Sequence, residues 1–341
     1  MIKLFEDFNN HQEVITLCEK YGIENYTINE DLSIDVDGSV DISDMKLIKI
    51  PIKFNKVTGT FSCRNNNISD LENSPRIVGQ NFICDINVEL TNLKGCPEFV
   101  LGDFSCMNSN LKDLGHLPKI IGRSLYLSHN KLTNVKIDEF IVGVDLHLSN
   151  NKLTSIEGIQ PKVNGGLYLS YNKLKDLKHF PETILKAVLI DHNILTSLKG
   201  DLRNTHTLDV SSNKLKNLEN DLHNIDYLSA GSNKITTLKG CPKNLEVLNV
   251  YGNQLTSLDG LKGVTINHIF IMNNNSISNL IGMPICNGYG ISNNPLPQEL
   301  LNIDQHPMLN KVIQNQEEYG IWNSDGSFNK ARFDILLKEL L

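Results

Sequence analysis

The sequence predicts a right-handed solenoid of short parallel strands, and three observations carry that prediction. Apolar residues alternate and then lead to an asparagine in Leu125-x-Leu127-x-x-Asn130-x-Leu132, Leu146-x-Leu148-x-x-Asn151-x-Leu153 and Leu167-x-Leu169-x-x-Asn172-x-Leu174. The same phase continues through Asn193, Asn213, Asn233 and Asn253 at spacings of 20 or 21 residues, and less regularly to Asn275 and Asn294. Composition fits thin stacked layers, since 40% of residues are hydrophobic but only 6% aromatic. A chain that repeats one small unit escapes the two or three globular domains that its 341 residues would otherwise imply, because each unit packs only on its neighbours.

Residues 1–39 precede the repeat and are expected to cap it with a helix and a β-hairpin. Asn10-x-x-Glu13 reads as a capping box, Val14, Leu17, Cys18 and Tyr21 share one helical face, and Gly22 can end the helix. Residues 26–36 read as the hairpin.

Residues 40–296 hold about 13 units, the earlier ones placed by Met45 in a degenerate first unit, Asn66, Asn87 and a serine at 109. In L-x-L the outer residues point into the core and the middle one outward, so each unit contributes one short strand to a concave face. The chain must bend after the strand, and a carboxamide has both the donors and the acceptors that buried backbone then needs. Turn asparagines alone would not stay in register with the leucines. On the return arm Pro75, Pro118, Pro181, Pro242 and Pro284 lie nine residues after the Asn position, and Pro97 and Pro161 ten. Proline disfavours helix there and predicts a thin convex side of extended or polyproline segments. Local bulges are expected near Val88-Glu89, Ser109 and Asn275, where the spacing departs from the rule. Residues 297–341 predict a helical cap, with Leu309, Val312, Ile313 and Gln316 on one helix and Phe333, Leu336, Leu337 and Leu340 on another.

The motif L-x-L-x-x-N-x-L followed by L-T-S-L-x-G, as at Leu195 to Gly200, resembles the leucine-rich repeat and covers about three quarters of the chain. Narrower features resemble the short-repeat leucine-rich-repeat proteins of tailed bacteriophages. These are the strands Phe61/Cys63, Phe82/Cys84 and Phe104/Cys106, the phrase Leu93-Lys94-Gly95-Cys96-Pro97, the segment Asn29 to Gly38 and the segment Gly320 to Asn329. That resemblance implies a protein that occupies a host protein during takeover or in countering defence. Some bacterial leucine-rich-repeat effectors append a ubiquitin-ligase domain with a catalytic cysteine, and here no cysteine follows Cys286.

A formal charge of -7 argues against a general nucleic-acid binder. Acids within Met1 to Phe8 stand where a signal peptide needs an apolar run, and no stretch reaches the length of a membrane span, so a cytoplasmic location is expected. The sequon Asn25-Tyr26-Thr27 then has no meaning. Seven cysteines, three at repeat spacing, read as core thiols rather than disulfides or a zinc site, since no C-x-x-C pair accompanies them. Asp35-x-Asp37-Gly38 and Asn323-x-Asp325-Gly326 lack the downstream glutamate of a calcium loop and read as turns. No phosphate-binding, zinc-protease or serine-hydrolase motif occurs, so neither a catalytic residue nor a cofactor is expected.

What remains is the outward face. Its middle row runs Ser105, Tyr126, His147, Tyr168, Leu189, Asp209, and the row before the asparagines runs Asn108, His129, Asn150, Tyr171, His192, Ser212. Tyr126, His129, His147, Tyr168, Tyr171 and His192 are therefore the candidate partner-binding patch, because stiff rings with polar tips suit an interface hot spot. The alternative is that outward positions merely tolerate them. Lys131, Lys152, Lys173, Lys214 and Lys234 follow the asparagines and form a candidate rim for an acidic partner, or else solvated lysines that guard the stack against edge association. The expectation is a non-enzymatic scaffold binding a protein. A virion structural or adhesive component, and a nucleotide or small-ligand binder, are the readings beside it.

Overall fold

The computed structural model describes residues 11–135, 141–159, 163–180, 186–200, 202, 204–220, 222–303 and 306–341. Met1 to Phe8, Asn10, Pro161 and Pro181 of the sequence reading lie outside them. The chain divides into two compact units, Met1–Asn172 and Lys173–Leu341.

The first unit opens with helix α1, His11–Lys20, which buries Val14 and Cys18 and leaves Leu17 and Tyr21 half-buried. Gly22 follows it with φ 63, a left-handed conformation that favours glycine. The expected hairpin pairs Tyr26–Ile28 with Ile34–Val36 in antiparallel register. Then come the repeats, whose main sheet carries Val40–Asp41, Phe61–Ser62, Phe82–Ile83, Phe104–Ser105, Leu125–Tyr126, Leu146–His147 and Leu167–Tyr168, each parallel to the next. Their first residues are buried, and Phe54, Phe61, Phe82 and Phe104 continue as a ladder of rings with centroids 5.1 to 5.5 Å apart.

The return arm of this unit is more ordered than the polyproline expectation. Ile34–Val36, Phe54–Val57, Ile77–Val78, Phe99–Val100, Ile120–Ile121 and Ile141–Val142 form a second parallel ladder, which the hairpin strand Tyr26–Ile28 closes at one end. Pro75, Pro97 and Pro118 each stand two residues before such a strand, so the missing N–H falls outside the pairing and the ladder survives them.

The second unit continues the main-sheet pattern with Ala187–Leu189, Thr207–Asp209, Tyr227–Ser229, Asn244–Asn249, Thr265–Ile271 and Gly288–Gly290. The register shifts between Leu245 and Val247, which is the bulge expected from the 22-residue spacing before Asn275. Helices α2 (Gln298–Leu301), α3 (His306–Asn315) and α4 (Lys330–Leu340) end the chain. Leu309, Val312, Ile313, Gln316, Phe333 and Leu336 are buried, while Leu337 and Leu340 are half-buried. Gln316 is satisfied inside, donating to Leu280 O at 3.1 Å and accepting from the Trp322 indole at 2.8 Å.

Stacked asparagines hold the layers in both units. Asn151 donates to Leu127 O and Leu148 O, both at 3.0 Å, and accepts the Leu132 N–H at 3.0 Å. Asn172, Asn213, Asn233, Asn253, Asn275 and Asn294 repeat the donations within 2.9 to 3.1 Å. At Ser109 the short hydroxyl accepts only from the Asn87 N–H, and the Leu90 N–H turns back to Asn87 O at 3.0 Å. The extra residue at Val88-Glu89 is absorbed by that local turn.

The residue before each asparagine is left-handed, as Asn65, Ile86, Asn108, His129, Asn150, Tyr171, His192, Ser212, Ser232, Asn274 and Asn293 show with φ between 52 and 60. Asparagine and histidine tolerate this region, whereas a β-branched side chain is strained in it. Ile86→Asn is therefore expected to stabilise the fold by about 0.5–1 kcal/mol, read as a higher urea midpoint at unchanged slope. A lower midpoint would show that the packing of Ile86 outweighs its backbone strain.

Candidate protein-binding surface

Three of the candidate residues meet in the first unit. Register brings Tyr126 beside His147 and His147 beside Tyr168, and their rings stack at centroid distances of 4.5 and 4.1 Å, tilted by 16° and 4°. All three side chains are half-buried. Gly166 lets the stack lie flat, because a Cβ there would come within 2.7 Å of the Tyr168 ring.

A second polar ladder, which the sequence reading missed, borders the rings. The side chain just before five of the strands accepts the N–H of its counterpart one layer on: Ser39 from Thr60 (3.0 Å), Asn81 from Asp103 (2.9 Å), Asp103 from Ser124 (3.0 Å), Ser124 from Asp145 (3.3 Å) and Asp145 from Gly166 (2.6 Å). Its signal in the sequence is a small polar or acidic residue in register ahead of those strands. It places the Asp103 and Asp145 carboxylates beside the stack, and Arg123 lies 3.9 Å from Asp103.

Burial holds the His147 imidazole below its ordinary value of 6.5, against the opposing pull of Asp145 and Asp103. Burial likewise raises the Tyr168 phenol, with Asp145 and Tyr126 adding to it. The unfolded chain therefore binds the His147 proton more tightly than the folded one. The stability that neutral His147 contributes is complete above about pH 6.5 and is lost as pH falls through the unfolded value toward the folded one. The thermal midpoint is expected to fall more steeply between pH 7 and 5 in the wild type than in His147→Gln protein, and parallel profiles would contradict this.

The remaining candidates are placed differently. His129 and Tyr171 are exposed on the left-handed bend after the strand rather than on the strand face, and His192 occupies the same bend in the second unit, with Nδ1 2.7 Å from Asp191. Lys131 and Lys152 in the first unit, and Lys173, Lys214 and Lys234 in the second, are exposed, and among the described residues none of the five makes an ion pair. Their backbone is fixed where bonds are formed: the N–H groups of Lys131, Lys152, Lys214 and Lys234 each donate to a leucine carbonyl one layer back at 2.8 to 2.9 Å.

Other chemistry finds little footing. Cys63, Cys84 and Cys106 are buried and free, and burial pushes the Cys63 and Cys84 thiols up, while the Cys96 and Cys241 thiols are pushed up to about 12. Such thiols are poor nucleophiles at neutral pH. Asp35 accepts from Asn29 and Asn55, and Asp325 from the Ser327 N–H and hydroxyl, so both acids serve hairpin and turn. Among the described residues no group of three or more His, Cys, Asp or Glu could hold a metal ion, and no helix is long and apolar enough to cross a membrane.

No protein-family model matches the chain, and no curated protein matches it. Among solved structures it is similar to YopM from Yersinia enterocolitica, with 22% identity and a TM-score of 0.54 over 76% of this chain. It is also similar to YopM, a leucine-rich effector protein from Yersinia pestis, with 20% identity and a TM-score of 0.50, covering 76% of this chain and 84% of that one. The chain spans 65% of the length of the first. The fold is thus that of the leucine-rich-repeat solenoids.

Proposed function

We propose that this chain is a non-enzymatic scaffold that binds a protein partner through the outward face of its main sheet, centred on Tyr126, His147 and Tyr168. The observation that carries the reading is the half-buried stack of three rings, edged by acids on one side and by the Lys131 and Lys152 positions beyond the bend on the other. Preorganised rings give contact area with little side-chain entropy left to lose, and the free lysines favour a partner with acidic groups at that rim. Centroid spacings of 4.1 and 4.5 Å leave no slot between the rings for a base, which favours a protein over a nucleotide. His129 and Tyr171 extend the surface from the bend. The resemblance of the sequence to phage leucine-rich-repeat proteins supplies the finer form of the reading, a phage-type protein that engages a host protein in the host cytoplasm. A virion component is the reading that mass spectrometry of purified particles separates from it.

The decisive experiment is affinity capture from host cells with wild-type and Tyr126→Ala/His147→Ala/Tyr168→Ala protein. Each hot-spot truncation costs about 2 kcal/mol or more, so the triple variant is expected to lose its specific partner while keeping its circular-dichroism spectrum. Equal recovery by both proteins would remove this surface from consideration.

A further inference from the structure

The backbone ladder of the second unit runs in one direction and ends on donors that have no acceptor among the described residues. In one layer the N–H groups of Val250, Gly252 and Leu255 donate forward to Ile271 O (2.8 Å), Asn273 O (2.9 Å) and Asn275 Oδ1 (3.0 Å). One layer on, Met272, Asn274 and Ile277 donate to Gly290 O (2.7 Å), Ser292 O (3.1 Å) and Asn294 Oδ1 (3.0 Å). The equivalent donors of the last layer are the N–H groups of Ile291, Asn293 and Leu296, and among the described residues none of them has an acceptor. Leu296 is only 7% exposed, so its N–H belongs to a largely buried residue.

Nor do the C-terminal helices seal this edge. A cleft of about 420 Å³ lies along it, with Ile291, Ser292 and Asn293 on the strand side and Leu301, Ile303 and Leu309 on the other. One wall therefore offers backbone donors and the opposite wall apolar side chains. That is the pairing of surfaces that an added β-strand requires.

We propose that this edge receives an extended polypeptide segment patterned Leu-x-Leu-x-x-Asn as one further strand. Donors two residues apart on a strand lie about 6.6 Å apart and match carbonyls two residues apart on an extended partner. In the register of the preceding layers, the residue after the first leucine accepts from Ile291 and the residue after the second accepts from Asn293. The second leucine, lying between those carbonyls, turns toward Leu301, Ile303 and Leu309. The asparagine supplies the carboxamide oxygen that the Leu296 N–H lacks, as Asn294 does for Ile277. This surface is separate from the ring stack, and neither depends on the other.

The test uses the full chain and a fluorescein-labelled octapeptide, Leu-His-Leu-Ser-Asn-Asn-Lys-Leu. The Ile291 and Asn293 amides are expected to exchange at unprotected rates in the free protein and at least about tenfold more slowly with the peptide bound, one hydrogen bond being worth about that factor. Replacing the peptide's second asparagine with alanine, or filling the cleft with Ile303→Arg, should each weaken binding by about tenfold at an unchanged thermal midpoint. Equal binding of a scrambled octapeptide would overturn the proposal. So would slow exchange at Ile291 and Asn293 in the peptide-free monomer, or protection that grows with protein concentration alongside a dimer mass, which would make a second copy the occupant.

Discussion

Replacing Asn151 with leucine is expected to lower the unfolding free energy by about 2 to 4 kcal/mol, although it exchanges a polar side chain for an apolar one in the interior. The reason lies in how the ladder shares its bonds. Leu127 O accepts from both Asn130 and Asn151, and Leu148 O from both Asn151 and Asn172, so each carbonyl keeps one donor when Asn151 is removed. The Leu132 N–H has only the Asn151 oxygen, and losing it leaves a buried donor with nothing. Asn151→Asp separates these effects, because a carboxylate still accepts from Leu132 but faces two carbonyls 3.0 Å away with no proton to offer. Burial against those carbonyls raises the new carboxyl above its unfolded value of about 3.9, so the variant is most stable below that value and weakens as pH rises through the folded one. Urea titrations at pH 3.5 and 7, referenced to the wild type, read this directly. A leucine variant as stable as the wild type would mean that the asparagines fill the bend without holding it.

The same ladder marks how far the sequence could be read. Leucines and asparagines recurring at one phase place the strands that carry the rings, and with those strands placed, the outward row of Tyr126, His147 and Tyr168 follows from the 21-residue spacing alone. The second sheet stayed hidden because strands such as Ile77–Val78 are two residues long, too short for an alternation of period two to show. The ladder through Ser39, Asn81, Asp103, Ser124 and Asp145 stayed hidden because any short acceptor serves there, so no single letter repeats. The row of His129, Tyr171 and His192 was legible as exposed but not as left-handed. The signal for that was the asparagine at 65, 108, 150, 274 and 293 in the same row, since asparagine is the side chain that region favours. How flat the rings lie depends on Gly166, which no periodicity marks.

Gly122→Ala is expected to destabilise the fold by about 3 kcal/mol, at the upper end for one added methyl, and to reach the candidate surface as well. Gly122 stands where the chain turns from the strand Ile120–Ile121 toward Leu125–Tyr126, and its N–H donates to Val100 O at 2.9 Å. A Cβ there would lie 2.1 Å from Leu101 O, and the neighbouring corners are as tight, with Gly79 against Thr58 O and Gly143 against Gly122 O, also at 2.1 Å. These are backbone contacts, so no side chain can rotate away and the layers themselves must part. Parting them at residue 122 strains the bond from the Ser124 N–H to Asp103, two residues on, and then the layer that carries Tyr126. The variant should therefore lose partner recovery as well as stability, although residue 122 is not part of the ring stack. Gly115→Ala is the control, since its nearest neighbour to a new Cβ is 3.5 Å away and the site is exposed, and a change within about 0.5 kcal/mol is expected there. Equal urea midpoints for the two variants would show that the corner is looser than a 2.1 Å approach allows, and with it the register that brings the three rings together.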